Sequence, residues 1–188
     1  MKNEFRIGNT ITKSFEDIDK MAEITDEELR NYQFPGVWVL FGRNKGNPWL
    51  CLQVGQSNNI GIEIKSDIQC IVGKIEEQTK RTYINQFGKA VKGYEYTIYL
   101  TPREQIYKKL GERYKDFAFI CICCGAAYKD DKKLIEKYVA WKLRALFWRN
   151  GGAYKYPQEN IEEPEDIEKI LFDKIDDFKT MADLYNKQ

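Results

Sequence analysis

The chain has 188 residues, of which 43% are hydrophobic and 31% charged, and its formal net charge at pH 7 is +1. This length and composition fit one folded domain and exclude a disordered, collagen-like or low-complexity chain. No apolar run approaches the length of a transmembrane helix, and the N-terminal residues lack the apolar region of a secretory signal. We therefore expect a cytoplasmic protein without membrane contact.

Histidine is absent from the sequence, which excludes histidine acid–base catalysis, Ser-His-Asp and Cys-His sites, and zinc sites with a histidine ligand. The five cysteines are an odd number without a signal peptide, which indicates reduced thiols. Cys121, Cys123 and Cys124 lie in a strand-like apolar run. We predict that they are small hydrophobic residues of a buried strand.

The charges are unevenly distributed along the chain. Residues 1–73 have a net charge of −2, residues 74–155 of +9 and residues 156–188 of −6. The basic middle part contains interleaved aromatic residues, a combination that suits phosphate contact and stacking on bases. We therefore expect nucleic acid, DNA in particular, as the partner. The acidic end either shields this basic surface or forms a solvated helix.

The first half of the chain predicts short helices followed by a β-hairpin. Residues 14–32 indicate one or two helices, and Thr25 with Glu28 three positions later is a capping-box pattern. The apolar runs 36–41 and 49–54 predict two strands joined by a turn. After the polar turn GQSNN, we expect the next helix to begin near Ser66.

The second half predicts two strands and three helices. Residues 94–100 and 116–124 indicate strands, and Pro102 is well placed to begin a helix that ends near Tyr114. Residues 81–92 give no clear indication. The apolar spacing in residues 130–148 predicts a helix that ends before Gly151 and Gly152, and a last helix begins near Glu165.

These elements predict a single α+β domain with a small central mixed or antiparallel sheet flanked by helices. We divide it into a helical N-terminal extension (1–33), a core (34–152) and an acidic C-terminal helix (153–188). That last helix packs by default on its own domain, and a protein partner is the alternative.

The core contains two tripeptides in the order that a known nuclease family uses. Gly36–Val37–Trp38 begins the first hairpin strand and Gln53–Val54–Gly55 ends the second. The polar residues Gln56, Ser57 and Asn59 follow. This segment resembles the opening of the GIY-YIG nuclease family, whose hairpin strands carry the tripeptides GIY and YIG. The core is therefore expected to be GIY-YIG-like, with an insertion around residues 66–115.

Further along, the resemblance implies a metal site. The strand 116–124 precedes a helix with Glu136, and Asn150 follows, as the family's metal-binding glutamate and later asparagine do. The resemblance thus implies Mg²⁺ or Mn²⁺ bound to Glu136. The two family tyrosines are replaced by Trp38 and Gln53. Where the family has an arginine the chain has Glu63, whose charge has the wrong sign for stabilising the transition state.

Two functions stay open: a divalent-metal-dependent endonuclease, or a catalytically degenerate nuclease-fold module that binds nucleic acid or a protein without cutting. If the protein cuts, the expected catalytic residues are Glu136, Gln53 and Arg81. The expected nucleic-acid contacts are Gln56, Ser57, Asn59, Lys65, Lys80, Lys89 and Asn150.

One rival nuclease pattern is also present. Glu63–Ile64–Lys65 matches the second half of a PD-(D/E)xK motif, in which a carboxylate binds Mg²⁺ and a lysine steadies the attacking water. Residues 31–62 contain no Asp or Glu to serve as the preceding carboxylate. The match is therefore weaker than the GIY-YIG resemblance.

Overall fold

The structure is a computed structural model that describes residues 3–4, 10–75, 78–84, 89–99, 102–124, 132–143, 145–146 and 161–162. These residues form five helices and eight strands, which confirms the α+β class. In chain order the elements are β1 (Asn3–Glu4), β2 (Thr10–Phe15), α1 (Ile18–Ala22), α2 (Asp26–Arg30), β3 (Gly36–Arg43), β4 (Leu50–Ser57), α3 (Ile60–Ile71), β5 (Gln78–Ile84), β6 (Ala90–Tyr99), α4 (Pro102–Arg113), β7 (Asp116–Cys123), α5 (Lys132–Lys142) and β8 (Ile161–Glu162).

The main sheet has four strands in the order β2–β7–β3–β4, and every pairing in it is antiparallel. The predicted hairpin is confirmed as β3 and β4. The register between the two strands shifts by one residue after Leu40, since Leu40 pairs with Gln53 and Phe41 pairs with Cys51. The predicted strand at 116–124 is confirmed as β7, which pairs with the other side of β3. The central position of β3 and β7 accounts for their unbroken apolar sequences, because both faces of these strands are covered.

Alternate residues of β3 contribute to two separate cores, one on each face of the sheet. Val37 and Val39 are fully buried in a cluster that includes Val139 of α5. Trp38 and Leu40 are buried in a second cluster, with residues of α1, α2, α3 and α4. Because successive side chains of a strand point to opposite faces, helix α5 lies on one face and the other helices lie on the opposite face.

The N-terminal part contains two short helices, as the prediction of one or two allows, and two strands that were not predicted, β1 and β2. The capping box between Thr25 and Glu28 is confirmed at the start of α2. Strand β2, however, joins the main sheet by pairing with β7, so the extension 1–33 is not purely helical. Its residues include Thr10, Ile11 and Phe15, types that favour strands, but its partner lies about a hundred residues away along the chain.

Helix α3 begins at Ile60, six residues before the predicted start. The side chain of Asn59 caps it by accepting a hydrogen bond from the N–H of Ile62 at 3.2 Å. Ile60, Ile64 and Ile68 recur every four residues and are all buried, which is the spacing of one helical face. This spacing of isoleucines in the sequence indicates a helix that begins at Ile60.

The region that gave no clear indication contains a second sheet. Strands β5 and β6 form a two-stranded antiparallel ribbon that includes most of residues 81–92. The strand predicted at 94–100 is confirmed within β6, and the helix predicted from Pro102 is confirmed as α4. We call β5 and β6 the basic ribbon.

The end of the chain is described only in part. Helix α5 confirms the centre of the helix predicted at 130–148, and β8 pairs in parallel with β1. Of the segment 153–188 predicted as a helix, Ile161–Glu162 form the strand β8 instead, and the rest, like Asn150 and the glycines that follow it, lies outside the described residues. A protein partner for that segment stays a prediction. Within the described part of the chain, none of the helices is both long and apolar enough to cross a bilayer.

Glu28 makes the stability of this fold depend on pH in the acidic range. The pKa of Glu28 is lowered from 4.5 to about 2, because its carboxylate accepts hydrogen bonds from Lys13 and from the backbone and side chain of Thr25. A lowered pKa stabilises the fold above the unfolded-state pKa near 4.5, and this contribution disappears as the pH falls from 4.5 to about 2.

We therefore expect Glu28→Gln to be less stable than wild type at pH 7, with a difference that closes below pH 4.5. Urea unfolding followed by circular dichroism at several pH values measures this difference. Glu27→Gln in the same helix is the control. A difference for Glu28→Gln that stays constant down to pH 2 would contradict the assignment.

Candidate nucleic-acid interface

The position of the first family tyrosine is occupied by a core tryptophan. Trp38 is 1% exposed, and its ring lies 6.4 Å from that of Tyr107 and 6.3 Å from that of Phe119, measured between centroids. An indole has one N–H donor and accepts no proton. The Trp38 side chain therefore packs on the face of the sheet that α4 covers, and no substrate reaches it in this arrangement.

Gly55, the glycine of the second tripeptide, has a structural role beside Trp38. The two residues are paired across β3 and β4. A Cβ atom at position 55 would lie 2.4 Å from Cζ2 of the Trp38 ring, too close for any side chain larger than hydrogen. An aromatic ring that covers a cross-strand glycine is a known stabilising pair in sheets. The glycine is therefore explained by packing without a bound phosphate.

The sheet separates two of the expected catalytic residues. Gln53 pairs with Leu40 across the hairpin, so its side chain projects from the face on which Trp38 and α3 lie. Glu136 belongs to α5, which packs on the opposite face through Ile135 and Val139. The structure does not bring Gln53 and Glu136 to one face. Gln56 pairs with Val37 and therefore lies on the α5 side.

Ser57 is the last residue of β4, and Asn58 and Asn59 lead from it to α3; we call these three residues the polar loop. The Ser57 hydroxyl accepts a hydrogen bond from the N–H of Asn59 at 3.1 Å and donates one to the carbonyl oxygen of Asn59 at 2.9 Å. The Asn59 side chain caps α3. Two of the predicted nucleic-acid contacts, Ser57 and Asn59, thus use their side chains to hold the loop in shape.

A buried lysine closes the polar loop from the α5 side. Lys132 is 7% exposed, and its ammonium group donates hydrogen bonds to the carbonyl oxygen of Ser57 at 3.3 Å and to Oδ1 of Asn58. Neither Asn58 nor Lys132 is among the residues predicted from the sequence. A signal was present, since Lys132 occupies the same helical face as Ile135 and Val139 and is therefore placed toward the sheet.

Lys65 is engaged within the protein. Its ammonium group lies 2.6 Å from Oδ1 of Asp26, with both side chains substantially exposed. The rival motif Glu63–Ile64–Lys65 lies in α3, where residues two apart do not face each other. Glu63 and Lys65 therefore do not converge on one reaction centre, which argues against the PD-(D/E)xK interpretation.

The basic ribbon and its connection contain the third expected catalytic residue, Arg81, and two expected nucleic-acid contacts, Lys80 and Lys89. Lys80 pairs with Thr97 and Arg81 pairs with Tyr96 in the register of β5 and β6. Lys89 is exposed just before β6. The ribbon is a sheet of its own, hydrogen-bonded separately from the sheet that carries Gln53. Of the predicted residues, Lys80, Arg81 and Lys89 thus belong to the ribbon and its connection, whereas Ser57 and Asn59 belong to the polar loop.

A divalent metal ion on Glu136 has limited support from its surroundings. Within the described ranges, no three His, Cys, Asp or Glu side chains form a group that could hold a metal. Mg²⁺ also binds through one or two carboxylates together with substrate phosphates, which would require only Glu136 from this helix. Mg²⁺ or Mn²⁺ at Glu136 therefore stays a prediction.

The burial predicted for Cys121 and Cys124 is confirmed, whereas Cys123, the last residue of β7, is only half-buried. Cys121 and Cys124 are fully buried, and all five thiols are free. Burial raises the pKa of Cys121 to about 12 and raises that of Cys51 as well, so both thiols are protonated at neutral pH. A protonated, buried thiol is a poor nucleophile and metal ligand.

No protein-family model matches the chain, and no curated protein or solved structure is significantly similar to it. The resemblance to the GIY-YIG family therefore depends on the motif residues alone. The function has to be argued from the two groups of residues described above, the basic ribbon and the polar loop.

Proposed function

We propose that the protein binds nucleic acid, duplex DNA in the first instance, through the basic ribbon and the polar loop. The observation that carries this proposal is the ribbon itself, an antiparallel pair of strands in which Arg81 and Tyr96 share one register position. The segment 78–99 contains four Lys and Arg residues against one Glu, and four tyrosines.

This composition matches what a nucleic-acid duplex offers to a protein. A two-stranded β-ribbon fits the major groove of B-DNA, where cations neutralise the flanking phosphates and side chains reach the base edges. Aromatic rings add contact with bases where these are unpaired. The ribbon therefore supplies charge and shape together, whereas a charged helix face supplies charge alone.

We further propose that the core is GIY-YIG-like. The hairpin β3–β4 leads directly into α3, β7 pairs with the free side of β3, and α5 packs against the same hairpin. The resemblance implies this order of elements. It supports a nuclease-type scaffold as the source of the nucleic-acid surface.

Within this scaffold, binding without cleavage is the function that the geometry supports best. Trp38 is part of the core, and Gln53 lies on the opposite face of the sheet from the helix that carries Glu136. A metal-dependent endonuclease is the second candidate. The observation in its favour is the position of Glu136 on a helix against the hairpin, in the order that the family uses.

The binding test compares wild type with Lys80→Gln/Arg81→Gln on a short labelled DNA duplex. Because neighbouring residues of a strand point to opposite faces, the double variant is expected to remove one phosphate contact, to weaken binding about tenfold and to reduce the dependence of log K on log salt by about 1. Lys20→Gln/Lys45→Gln, which removes the same charge elsewhere, is the control. If both double variants lose the same binding affinity, the effect depends on net charge and the ribbon is not a specific binding surface.

The same samples, incubated with Mg²⁺ or Mn²⁺ and including Glu136→Ala, test cleavage. We expect the duplex to be bound and left intact, and Glu136→Ala to bind as wild type does. Metal-dependent cutting that disappears in Glu136→Ala would instead establish the endonuclease. If wild type binds no duplex at all, the proposed function is wrong.

A further inference from the structure

Asn58 has an unusual position for an exposed residue, because a buried cation holds its side chain in one orientation. Asn58 is exposed at the polar loop, while Lys132, whose ammonium group contacts its side chain, is only 7% exposed as a residue. A lysine ammonium has three N–H donors and accepts no hydrogen bond. Lys132 therefore selects the amide oxygen of Asn58.

The orientation of the amide follows from this contact. Since Oδ1 of Asn58 faces Lys132, the amide nitrogen must lie on the other side of the planar group, away from the lysine. Its two N–H donors are then directed out of an exposed side chain. Among the residues that the structure describes, none accepts a hydrogen bond from this nitrogen.

The hydrogen bonds around Asn58 leave it as the residue of the loop that is available for a ligand. Ser57 and Asn59 use their side chains within the loop, as the serine hydroxyl bonds to Asn59 and the asparagine caps α3. The Asn58 amide offers two donors, with the positive charge of Lys132 behind it. Groups that only accept hydrogen bonds and carry negative charge, such as phosphodiester oxygens, suit this combination.

We propose that Asn58 binds a backbone phosphate of the nucleic acid and that Lys132 is the positioning residue that orients it. This inference depends on the proposed function and adds to it a contact that lies on the main sheet, separate from the basic ribbon. The phosphate chemistry is common to DNA and RNA, so both duplexes serve as probes.

The first test is Asn58→Asp, which keeps the oxygen for Lys132 and replaces the two donors by a carboxylate oxygen. The new ion pair with Lys132 should leave the thermal unfolding midpoint unchanged or higher. Binding of the duplex that wild type prefers should weaken about tenfold. Asn47→Asp, in the exposed turn at the other end of the hairpin, introduces the same charge and serves as the matched control.

The second test separates positioning from direct contact by Lys132. If Lys132 acts through Asn58, the double variant Asn58→Ala/Lys132→Met should bind about as weakly as Asn58→Ala alone. If the two residues contact the ligand independently, their losses should multiply. Multiplied losses would overturn the positioning role, even where each single variant binds more weakly.

The remaining outcomes are distinct. If wild type binds a duplex and Asn58→Asp binds it as well as Asn47→Asp does, the phosphate contact is wrong while the proposed function stands. A lower unfolding midpoint for Asn58→Asp would show that the amide donors hold the fold, which also overturns the inference. If wild type binds neither the DNA nor the RNA duplex, both the inference and the proposed function fail.

Discussion

Replacing Trp38 with alanine is expected to lower the free energy of unfolding by about 3–5 kcal/mol, the cost of deleting a large buried aromatic side chain. The ring is 1% exposed and lies between Tyr107 and Phe119. Its removal opens a cavity, because Gly55 offers no side chain that could fill the space across the strands. Urea unfolding followed by circular dichroism measures the loss.

The comparison with Trp38→Phe and Trp141→Ala makes this expectation specific. Phenylalanine retains most of the apolar contact and should cost clearly less than alanine. Trp141 is only partly buried on α5, so its removal should also cost less. If Trp38→Ala unfolds at the wild-type urea concentration and only nucleic-acid binding or cleavage is lost, Trp38 belongs to the functional site and the core assignment is wrong.

The sequence predicted the elements whose patterns are local. The hairpin β3–β4, strand β7 and helix α4 each have an apolar run or a proline bounded by turn residues, and all three are confirmed. Local patterns suffice for such elements because their own residues determine the backbone conformation. The capping box at Thr25 is confirmed for the same reason, since its hydrogen bonds join residues three apart.

The failures concern long-range arrangement. Strand β2 could not be predicted because its partner β7 is distant in sequence. It has only six residues, and their mixed polarity shows little periodicity. The sequence also could not predict that Gln53 and Glu136 lie on opposite faces of the sheet, because the order of the motifs does not indicate on which face α5 packs. Only the pairing of Leu40 with Gln53 and the contacts of α5 decide it.

The candidate site shows the same limit at the level of single side chains. Asn58 was passed over in favour of its neighbours, which match the family pattern. Lys132 is one of several lysines in its helix, and the sequence pattern does not distinguish it from the others. Their importance comes from a hydrogen bond between residues 74 positions apart. Residue type and spacing can be recognised in a sequence. Which hydrogen-bond donors of a loop remain available to a ligand depends instead on the hydrogen bonds that form within the folded protein.

Gly36, the first residue of the GIY-like tripeptide, is expected to tolerate no side chain. A Cβ atom at this position would lie 2.0 Å from the backbone carbonyl oxygen of Ile122 on β7. Relief would require β3 and β7 to move apart at the centre of the sheet. We therefore expect Gly36→Ala to lower the free energy of unfolding by about 3 kcal/mol, the upper end of the usual cost of overpacking.

Gly46→Ala is the control that separates a steric clash from backbone strain. Gly46 has φ +84° in the hairpin turn and no atom within 4 Å of its would-be Cβ. Its replacement should cost about 1–2 kcal/mol, the price of a left-handed conformation for an ordinary residue. Urea unfolding should therefore give a lower free energy of unfolding for Gly36→Ala than for Gly46→Ala. If Gly36→Ala were instead as stable as wild type but bound nucleic acid more weakly, this motif glycine would serve the ligand, and its explanation by packing would be wrong.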